Sequence, residues 1–224
     1  MMQSVLYLVH GSDPDMLPEN WLRLLPALEQ ERALRYRHAG DRWRFVVGRL
    51  MIRSVMSLYA GCRPHALPLC IDRHDRPVIA ELSTPQFSLA HSGSQVALLV
   101  SDGACGVDVE CVRAGRVSAT LYRRIVGRDD EPRDIELFFR YWTRKEAVMK
   151  AHGMGLSLAP ERIGVDFAGA NAGVVRVDGL ATPLWVCDLA LVPGCALAAA
   201  MEGVSPSWPD VRSVDLSQLT CRWN

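Results

Sequence analysis

The sequence lacks the short motifs that mark the common nucleotide-binding and hydrolytic enzymes. It has no G-x-x-x-x-G-K-[ST] loop and no G-x-G-x-x-G loop that opens a helix, which argues against a P-loop or Rossmann nucleotide site. It also has no G-x-S-x-G or H-E-x-x-H segment, so neither a nucleophile elbow nor a zincin metal site is expected. Gly153-Met-Gly155 follows a predicted helix instead of preceding one, and therefore indicates a helix C-cap.

Net charge and long apolar runs are also missing. The 25 basic and 25 acidic residues cancel, so we expect neither nucleic acid nor a membrane surface as a partner. The most apolar late stretch, residues 184–201, is interrupted by Pro193-Gly194 and predicts a hairpin. The amino terminus has no positively charged segment before its short apolar run, and it predicts a first strand rather than a signal peptide.

Paired cysteines of the C-x-x-C type do not occur either. The seven cysteines, at positions 62, 70, 105, 111, 187, 195 and 221, are odd in number and show no Cys/His zinc spacing. Reduced thiols in a cytoplasmic protein are the simplest interpretation. What the sequence does have is a 49% hydrophobic composition over 224 residues, which is enough for a substantial core.

The periodicity of apolar residues predicts an alternation of strand runs and long helices. Helices are expected at 21–38, at 41–59 with Gly61 as the stop, and at 135–152. Strands are expected at 3–9, 87–90, 96–100, 106–110, 163–167, 174–177, 184–190 and 196–200. Prolines at 64, 68, 77 and 85 indicate extended or turning backbone between the helix expected at 41–59 and the strand expected at 87–90.

This order of elements predicts the α+β class. We expect a single-chain pseudo-dimer of two similar α+β halves, each a small antiparallel sheet packed on a long helix, because the strands come in runs. The halves are placed at 1–105 and 106–224, with the metal and catalytic residues in the second. Direct sequence identity between the halves is weak.

Two separated segments supply three carboxylates and a lysine. Asp108 and Glu110 are two apart in a strand-like segment, so their side chains leave the same face of the strand. Glu146 and Lys150 are four apart in a predicted helix and share one face of it. If strand and helix pack together, the carboxylates converge on one Mg²⁺, which prefers oxygen ligands, and the lysine lies beside a bound phosphate.

Each segment alone also has an ordinary structural interpretation. An acidic pair at the end of a strand is often a solvated turn, and Lys-Glu pairs are common on surface helices. His91, at the end of a predicted strand, indicates a turn histidine bonded to backbone when taken by itself. Beside a phosphate site, however, His91 and the backbone amides of Ser92 and Gly93 predict a pyrophosphate ligand.

Five segments in this order resemble the 4′-phosphopantetheinyl transferases of the larger, surfactin-synthetase-activating type. They span residues 48–156 and read Gly48-Arg-Leu-Met-Ile-Arg53-Ser, Arg76-Pro, Phe87-Ser-Leu-Ala-His91-Ser-Gly93, Gly106-Val-Asp-Val-Glu110 and Trp142-Thr-Arg-Lys-Glu146-Ala-Val-Met-Lys150-Ala-His-Gly-Met-Gly-Leu156. The resemblance implies that coenzyme A binds between the two halves. It also implies transfer of the phosphopantetheine arm to a serine of an apo acyl or peptidyl carrier protein, with release of adenosine 3′,5′-bisphosphate.

The same resemblance implies roles for individual residues. Mg²⁺ would be held by Asp108, Glu110 and Glu146. The catalytic residues would be Asp108, Glu146 as the candidate general base, and Lys150 at the attacked phosphate. The coenzyme A ligands would be Arg32 at the 3′-phosphate, Arg44 and Arg76 at the nucleotide phosphates, His91 and Ser92 at the pyrophosphate, and Lys150.

Three positions depart from the family pattern, since Ser88 and Ala90 stand where the related enzymes often have an asparagine and a serine, and Glu29 is the third. Ala90 lacks a hydroxyl that could touch the cofactor, so Ser92 or backbone amides are expected to substitute. Glu29 stands where a second basic residue is expected, which would leave Arg32 to bind the 3′-phosphate without help.

The acceptor is the remaining partner to account for. An arginine-rich stretch after the acidic strand indicates either a solvated loop or a docking surface for an acidic carrier protein; its arginines are Arg113, Arg116, Arg123, Arg124 and Arg128. We expect the protein to act as a monomer. Two alternatives stay open, namely an idle relative that binds coenzyme A or a carrier without transfer, and a Mg²⁺-dependent nucleotide hydrolase.

Overall fold

Ten strands and five α-helices are described by the computed structural model. It describes residues 3–11, 17–80, 82–113, 115, 117–127, 134–155, 158–204, 206–215, 217, 220 and 223. The elements are β1 Val5–His10, α1 Glu19–Leu24, α2 Ala27–Leu34, α3 Ala39–Ala60, β2 Leu69–Ile71, β3 Pro77–Ile79, β4 Gln86–Ser92, β5 Gln95–Ser101, β6 Cys105–Cys111, α4 Ala119–Val126, α5 Ile135–His152, β7 Ala172–Val175, β8 Leu184–Asp188, β9 Cys195–Glu202 and β10 Asp210–Ser213.

Two four-stranded sheets, each packed on one long helix, form the body of the protein. Their strand orders are β10-β1-β5-β4 and β6-β9-β8-β7, and β2 and β3 pair as a separate ribbon. Helix α3 buries Trp43 and Met51 against Leu98 of the first sheet. Helix α5 buries Val148 against Ala198 of the second sheet. The expected α+β architecture of two halves is confirmed.

The two halves share an apolar core and meet along strands β4 and β6. Val107 and Val109 of β6 are fully buried with Leu6 and Leu99 from the first sheet. Serine side chains of β4 also bind the backbone of β6, since the Val107 amide donates to Ser88 Oγ at 3.1 Å. The edge strands of the two sheets therefore lie side by side and fix the halves relative to each other.

The strand β10 was missed by the sequence analysis. It pairs in parallel with β1, with Val5 opposite Asp210 and Leu8 opposite Ser213. Part of the carboxyl-terminal segment thus returns to the sheet of the first half. The division at residues 105 and 106 stays a prediction.

The helix expected at 21–38 is wrong, because two shorter helices, α1 and α2, occupy this region. Leu25 has extended backbone angles (φ −72°, ψ 151°) and Pro26 caps α2. A residue before proline avoids the helical conformation, and proline has no amide hydrogen to continue the helix. The break at Pro26 follows from these two constraints.

The strand expected at 163–167 is also wrong, because these residues form no strand. Their apolar side chains are buried, as predicted for a strand, since Ile163 and Val165 are each 2% exposed. A side chain takes the place of a neighbouring strand here, because Arg144 Nη1 of α5 donates to the Val165 carbonyl at 2.8 Å. Burial therefore does not require pairing with another strand.

Other local expectations agree with the structure. Gly61 and Gly153 end α3 and α5 in the left-handed conformation, which glycine adopts without steric cost. Strand β4 extends beyond the prediction to Ser92, so His91 lies in the strand and the turn begins at Gly93. The six described cysteines are free thiols, whereas Cys221 lies outside the described residues. Among the described helices, none is long and apolar enough to cross a bilayer.

A close approach between a helix and a strand occurs at Gly106 of β6. A Cβ atom added at this glycine would lie 1.9 Å from the Ala147 carbonyl oxygen and 2.6 Å from the Ala151 amide nitrogen of α5. No side chain fits in this space, so the backbones of α5 and β6 are in direct contact. The contact fixes the depth and register of α5 on the face of β6 that carries the even-numbered residues.

Replacement of Gly106 by alanine is therefore expected to destabilise the protein by about 3 kcal/mol or more, because backbone atoms must separate to admit one methyl group. Urea-induced unfolding measures this loss. Gly164→Ala is the matched control, because a Cβ at Gly164 meets no atom within 4 Å. Equal stability of the two variants would contradict the importance of the contact.

Candidate active site

Asp108 and Lys150 join strand β6 to helix α5 at the centre of the site. Lys150 Nζ donates to Asp108 Oδ1 at 2.7 Å and to the Val107 carbonyl at 3.0 Å. The contact at Gly106, two residues earlier on the same face of β6, places α5 close enough for this ion pair. The predicted packing of the acidic strand against the lysine-bearing helix is therefore present.

The second oxygen of Asp108 has a different environment. Asp108 is 6% exposed, so it is not the solvated turn residue that an acidic pair at the end of a strand often provides. Its Oδ2 atom is buried and has no hydrogen-bond partner among the described residues. Burial raises the pKa of Asp108, and the positive charge of Lys150 opposes this increase. A buried carboxylate oxygen without a partner is costly, so this atom is a strong position for a cation.

Glu110 follows Asp108 on the same strand and is held from the other half of the protein. Ser92 Oγ, on β4, donates to Glu110 Oε2 at 2.8 Å. The same hydroxyl oxygen accepts the Cys111 amide at 3.0 Å. Burial raises the pKa of Glu110, the bond from Ser92 opposes the increase, and the negative charge of Asp108 adds to it.

Glu146 lies one turn before Lys150 on α5 and completes the acidic set. Burial raises the pKa of Glu146, the negative charge of Asp108 raises it further, Lys150 opposes the increase, and Glu110 adds to it. The three carboxylates therefore repel one another across the interface between α5 and β6. In the described part of the chain, however, no three His, Cys, Asp or Glu side chains are close enough to hold a metal ion as they stand.

A cleft of about 430 Å³ opens next to Glu110, at the junction of the two halves. Its polar end contains Arg44, His91, Ser92 and Arg113. Arg44 Nη1 donates to the Gly93 carbonyl at 2.9 Å, and its Nη2 atom pairs with Asp41. The cleft thus brings together three predicted coenzyme A ligands, whereas Asp108, Glu146 and Lys150 are not among its described lining residues.

His91 lies at the rim of this cleft. The surrounding cleft wall desolvates its ring and lowers the pKa of His91, and the positive charges of Arg44 and Lys150 lower it further. A neutral imidazole at pH 7 is therefore favoured, which donates one hydrogen bond and accepts another.

Arg76 occupies a separate depression at the carboxyl-terminal end of α5. It lies against Gly153, where a Cβ atom would be 3.4 Å from Arg76 Nη1, and its Nε atom is 3.3 Å from Asp72 Oδ2. Arg76 is not among the described residues that line the cleft of His91. The structure therefore places it near the end of the helix that carries Lys150, apart from Arg44.

Arg32 lies on α2 over the ring of Phe45, with its guanidinium carbon 5.6 Å from the ring centre. Arg49 of α3 stacks on the same ring at 5.2 Å. Glu29, expected to leave Arg32 without a basic neighbour, forms an ion pair with Arg53 Nε at 2.8 Å and lies 3.7 Å from Arg49 Nε. Glu29 thus holds α2 on α3, and Arg49 supplies the second positive charge beside Arg32.

Ala90 is 4% exposed and packs in the core that the two halves share. Ala90 is not among the described residues that line the cleft, so the structure gives its side chain a packing role. On the same face of β4, Ser88 and Ser92 bind the backbone of β6 instead.

The apolar wall at the other end of the cleft was not predicted from the sequence. This wall comes from α4, from the segment just before it and from α5, and it consists of Val117, Leu121, Phe138, Phe139 and Trp142. Helix α4 lies in the arginine-rich stretch, where the sequence analysis predicted no helix although the capping residues were readable. The Ser118 hydroxyl accepts the Leu121 amide at 3.2 Å, and Gly127 ends the helix in the left-handed conformation.

The arginines of this stretch divide between the rim of the cleft and the surface of α4. Arg113 is exposed and lines the cleft, and Arg123 and Arg124 are exposed on α4. Arg124 forms an ion pair with Glu161. Arg116 and Arg128 lie outside the described residues.

Comparison with known families assigns both halves to the same group of proteins. A family model described as 4′-phosphopantetheinyl transferase, N-terminal, matches residues 17–102. A second model, for the 4′-phosphopantetheinyl transferase superfamily, matches residues 104–188. The second match contains the acidic strand β6 and the whole of α5.

Individual relatives match over most of the chain. The 4′-phosphopantetheinyl transferase Sfp of Bacillus subtilis is 24% identical over 210 residues, which cover 90% of this chain and 92% of the relative. The 4′-phosphopantetheinyl transferase HetI of a Nostoc species is 29% identical over 208 residues, which cover 83% and 84%. The similarity therefore includes both sheets and the cleft between them.

Replacement of Glu146 by glutamine is expected to raise the Tm at pH 7 in the absence of metal. Because the folded-state pKa of Glu146 is raised, its ionisation weakens the folded protein as the pH rises from about 4.3, the usual value for glutamate, through the folded pKa. The variant avoids this loss, so its advantage should vanish below about pH 4.

Thermal unfolding, followed by circular dichroism between about pH 3.5 and about pH 8, measures the difference, because this range includes the protonated and the ionised form of Glu146. Glu136→Gln, an exposed position in the first turn of the same helix, is the matched control and should show no gain at pH 7. A Tm for Glu146→Gln that equals the wild-type value at every pH would contradict the repulsion between the carboxylates.

Proposed function

The chain belongs to the 4′-phosphopantetheinyl transferase superfamily, and we therefore propose that it transfers the phosphopantetheine arm of coenzyme A to a serine of a carrier protein. The observation that carries this proposal is the packing of α5 on β6, which joins Lys150 to Asp108 and sets Glu110 and Glu146 beside them. Acyl and peptidyl carrier proteins, in their apo form, are the proposed acceptors.

The reaction that fits this site is a displacement at phosphorus. The serine oxygen of the carrier protein attacks the pyrophosphate phosphorus that is attached to pantetheine. The bond from this phosphorus to the bridging oxygen breaks, and adenosine 3′,5′-bisphosphate leaves with the electron pair. Such transfers depend on in-line positioning and charge neutralisation more than on covalent help from the protein.

Lys150 is assigned to stabilisation of the phosphate charge, and Glu146 is assigned to removal of the serine proton. Lys150 Nζ lies at the junction of α5 and β6 and stabilises the negative charge that develops on the attacked phosphate. Glu146 takes the proton from the serine hydroxyl, directly or through one water molecule.

A divalent cation is implied by the family, and the donor set of this chain fits one. Asp108, Glu110 and Glu146 are hard oxygen donors of the type that Mg²⁺ prefers, and Asp108 has a buried oxygen without a partner among the described residues. We assign these three residues as the Mg²⁺ ligands. When bound, the cation neutralises charge on the pyrophosphate and lowers the mutual repulsion of the carboxylates.

The cleft and the two arginine sites are assigned to coenzyme A. Arg44 and His91 supply a positive charge and a neutral donor at the polar end of the cleft, where they are assigned to the phosphates. Arg76 is assigned to the nucleotide from its position beside the end of α5. Arg32, with Arg49 beside it on Phe45, is assigned to the 3′-phosphate.

Modification of a carrier protein is the direct test of the transfer. The protein is incubated with coenzyme A, Mg²⁺ and a panel of apo carrier proteins, and intact-mass spectrometry should show the added phosphopantetheine arm on the serine of at least one carrier. Lys150→Met should slow the transfer by about 100-fold or more, because the developing phosphate charge loses its partner.

The same incubation separates the alternative functions. Binding of coenzyme A without modification of any carrier would indicate an idle relative and contradict the proposal. Release of a nucleotide in the absence of carrier protein would indicate a hydrolase. In both cases the acidic site would have a different role.

The sites for coenzyme A and for the carrier protein are expected to respond to different substitutions. Arg32→Ala should raise the KM for coenzyme A about tenfold, through a lost charge-assisted hydrogen bond, and leave the KM for dephospho-coenzyme A unchanged. Arg123→Glu with Arg124→Glu should raise the KM for an acidic carrier about tenfold and leave the KM for coenzyme A unchanged.

Each of these variants is the control for the other. Charge reversal at exposed Arg63 and Arg176 is a further control, because neither residue lies on α4 or lines the cleft. If the KM for the carrier is unchanged in the Arg123→Glu, Arg124→Glu variant, α4 is not part of the docking surface. If Arg32→Ala raises the KM for coenzyme A and for dephospho-coenzyme A equally, Arg32 does not bind the 3′-phosphate.

A further inference from the structure

We propose that Ser92 is a positioning residue, which orients the Glu110 carboxylate for the metal and does not itself bind coenzyme A. This inference rests on the proposed role of Glu110 as a Mg²⁺ ligand. It replaces the sequence-based expectation that Ser92 contacts the pyrophosphate. The observation behind it is the pair of hydrogen bonds that the Ser92 hydroxyl makes across the junction of the two halves.

The single proton of the Ser92 hydroxyl is already used. Ser92 Oγ donates to Glu110 Oε2 at 2.8 Å, and an ionised carboxylate can only accept. The Cys111 amide donates to the same oxygen at 3.0 Å, so the hydroxyl proton must be directed at Glu110. Pyrophosphate oxygens at neutral pH need donors, and the Ser92 hydroxyl has no second proton to give.

The surroundings of Ser92 hold its side chain in this orientation. Its carbonyl oxygen accepts from the Cys111 thiol at 3.4 Å. The next residue, Gly93, turns with φ 57°, and a Cβ there would lie 2.9 Å from Cys111 Sγ. Cys111 therefore contacts Ser92 through both its amide and its thiol, and the glycine permits the close approach.

The bond between Ser92 and Glu110 also connects the two halves at the site itself. Ser92 belongs to β4 of the first sheet, whereas Glu110 belongs to β6 of the second. A partner that orients a metal ligand typically changes metal affinity or activity by about 10- to 100-fold when it is removed. Ser92 thus makes the position of one metal ligand depend on the contact between the halves.

Ser88 offers a matched control within the same strand. Its hydroxyl accepts the Val107 amide at 3.1 Å, as Ser92 accepts the Cys111 amide, so both serines connect β4 to β6. The described structure shows no carboxylate contact for Ser88. Substitution of Ser88 therefore removes a connection between the strands and leaves the orientation of Glu110 intact.

Binding of Mn²⁺, used in place of Mg²⁺ and measured by electron paramagnetic resonance, tests the proposal. Ser92→Ala should weaken Mn²⁺ binding about 10- to 100-fold, whereas Ser92→Thr and Ser88→Ala should bind it as the wild type does. Coenzyme A affinity without metal, measured by calorimetry, should stay within about twofold of the wild-type value in all three variants, since no direct contact is removed.

Ser92→Cys keeps the size of the side chain but has a weak donor, so it gives the same comparison if the alanine variant does not fold. Wild-type Mn²⁺ affinity in folded Ser92→Ala or Ser92→Cys would overturn the inference and leave the proposed transfer untouched. A loss of coenzyme A affinity without metal would show a direct contact and also overturn it. Failure of the wild-type protein to bind Mn²⁺ would instead contradict the metal role of Glu110, and the inference would fall with it.

Discussion

The direct contact between α5 and β6 at Gly106 is the constraint on which the site depends. Because no side chain separates the two backbones, the next residue on the same face of the strand, Asp108, reaches Lys150 of the helix at 2.7 Å. The same packing brings Glu146 into electrostatic contact with Asp108 and Glu110. A wider separation would leave these charges as unrelated surface groups, so the glycine is as necessary to the arrangement as the acidic residues.

The site also requires the junction of β4 and β6, where the two halves meet. Apolar residues of both halves share one core, and the serine side chains of β4 replace a regular backbone ladder along part of the edge. This arrangement places His91 and Arg44 of the first half next to Glu110 of the second, around the cleft. In the proposed function, coenzyme A binds where the halves meet, so the stability of the junction and substrate binding depend on the same contacts.

The features readable from the sequence were those with a local cause. The periodicity and terminal glycines of α3 and α5 predicted both helices, and residue spacing placed Asp108 with Glu110 and Glu146 with Lys150. Two errors overlooked local signals, namely Pro26 within the helix expected at 21–38 and the capping residues Ser118 and Gly127 of α4. The other errors involve distant partners. Residues 163–167 have the apolar pattern of a strand, but Arg144 satisfies the Val165 carbonyl. Strand β10 is mostly exposed and has no apolar alternation, so its parallel pairing with β1 had no local signal. The contacts of Glu29 and Ser92 likewise required the packed structure.

A crystal structure of the protein with coenzyme A and Mn²⁺ tests the central claim most directly, because anomalous scattering locates the cation without reference to the ligand. The account predicts one Mn²⁺ that is bound by Asp108, Glu110 and Glu146 at the junction of α5 and β6, with Lys150 at the pyrophosphate. Coenzyme A bound elsewhere, or bound in the cleft with no cation at these carboxylates, would contradict it.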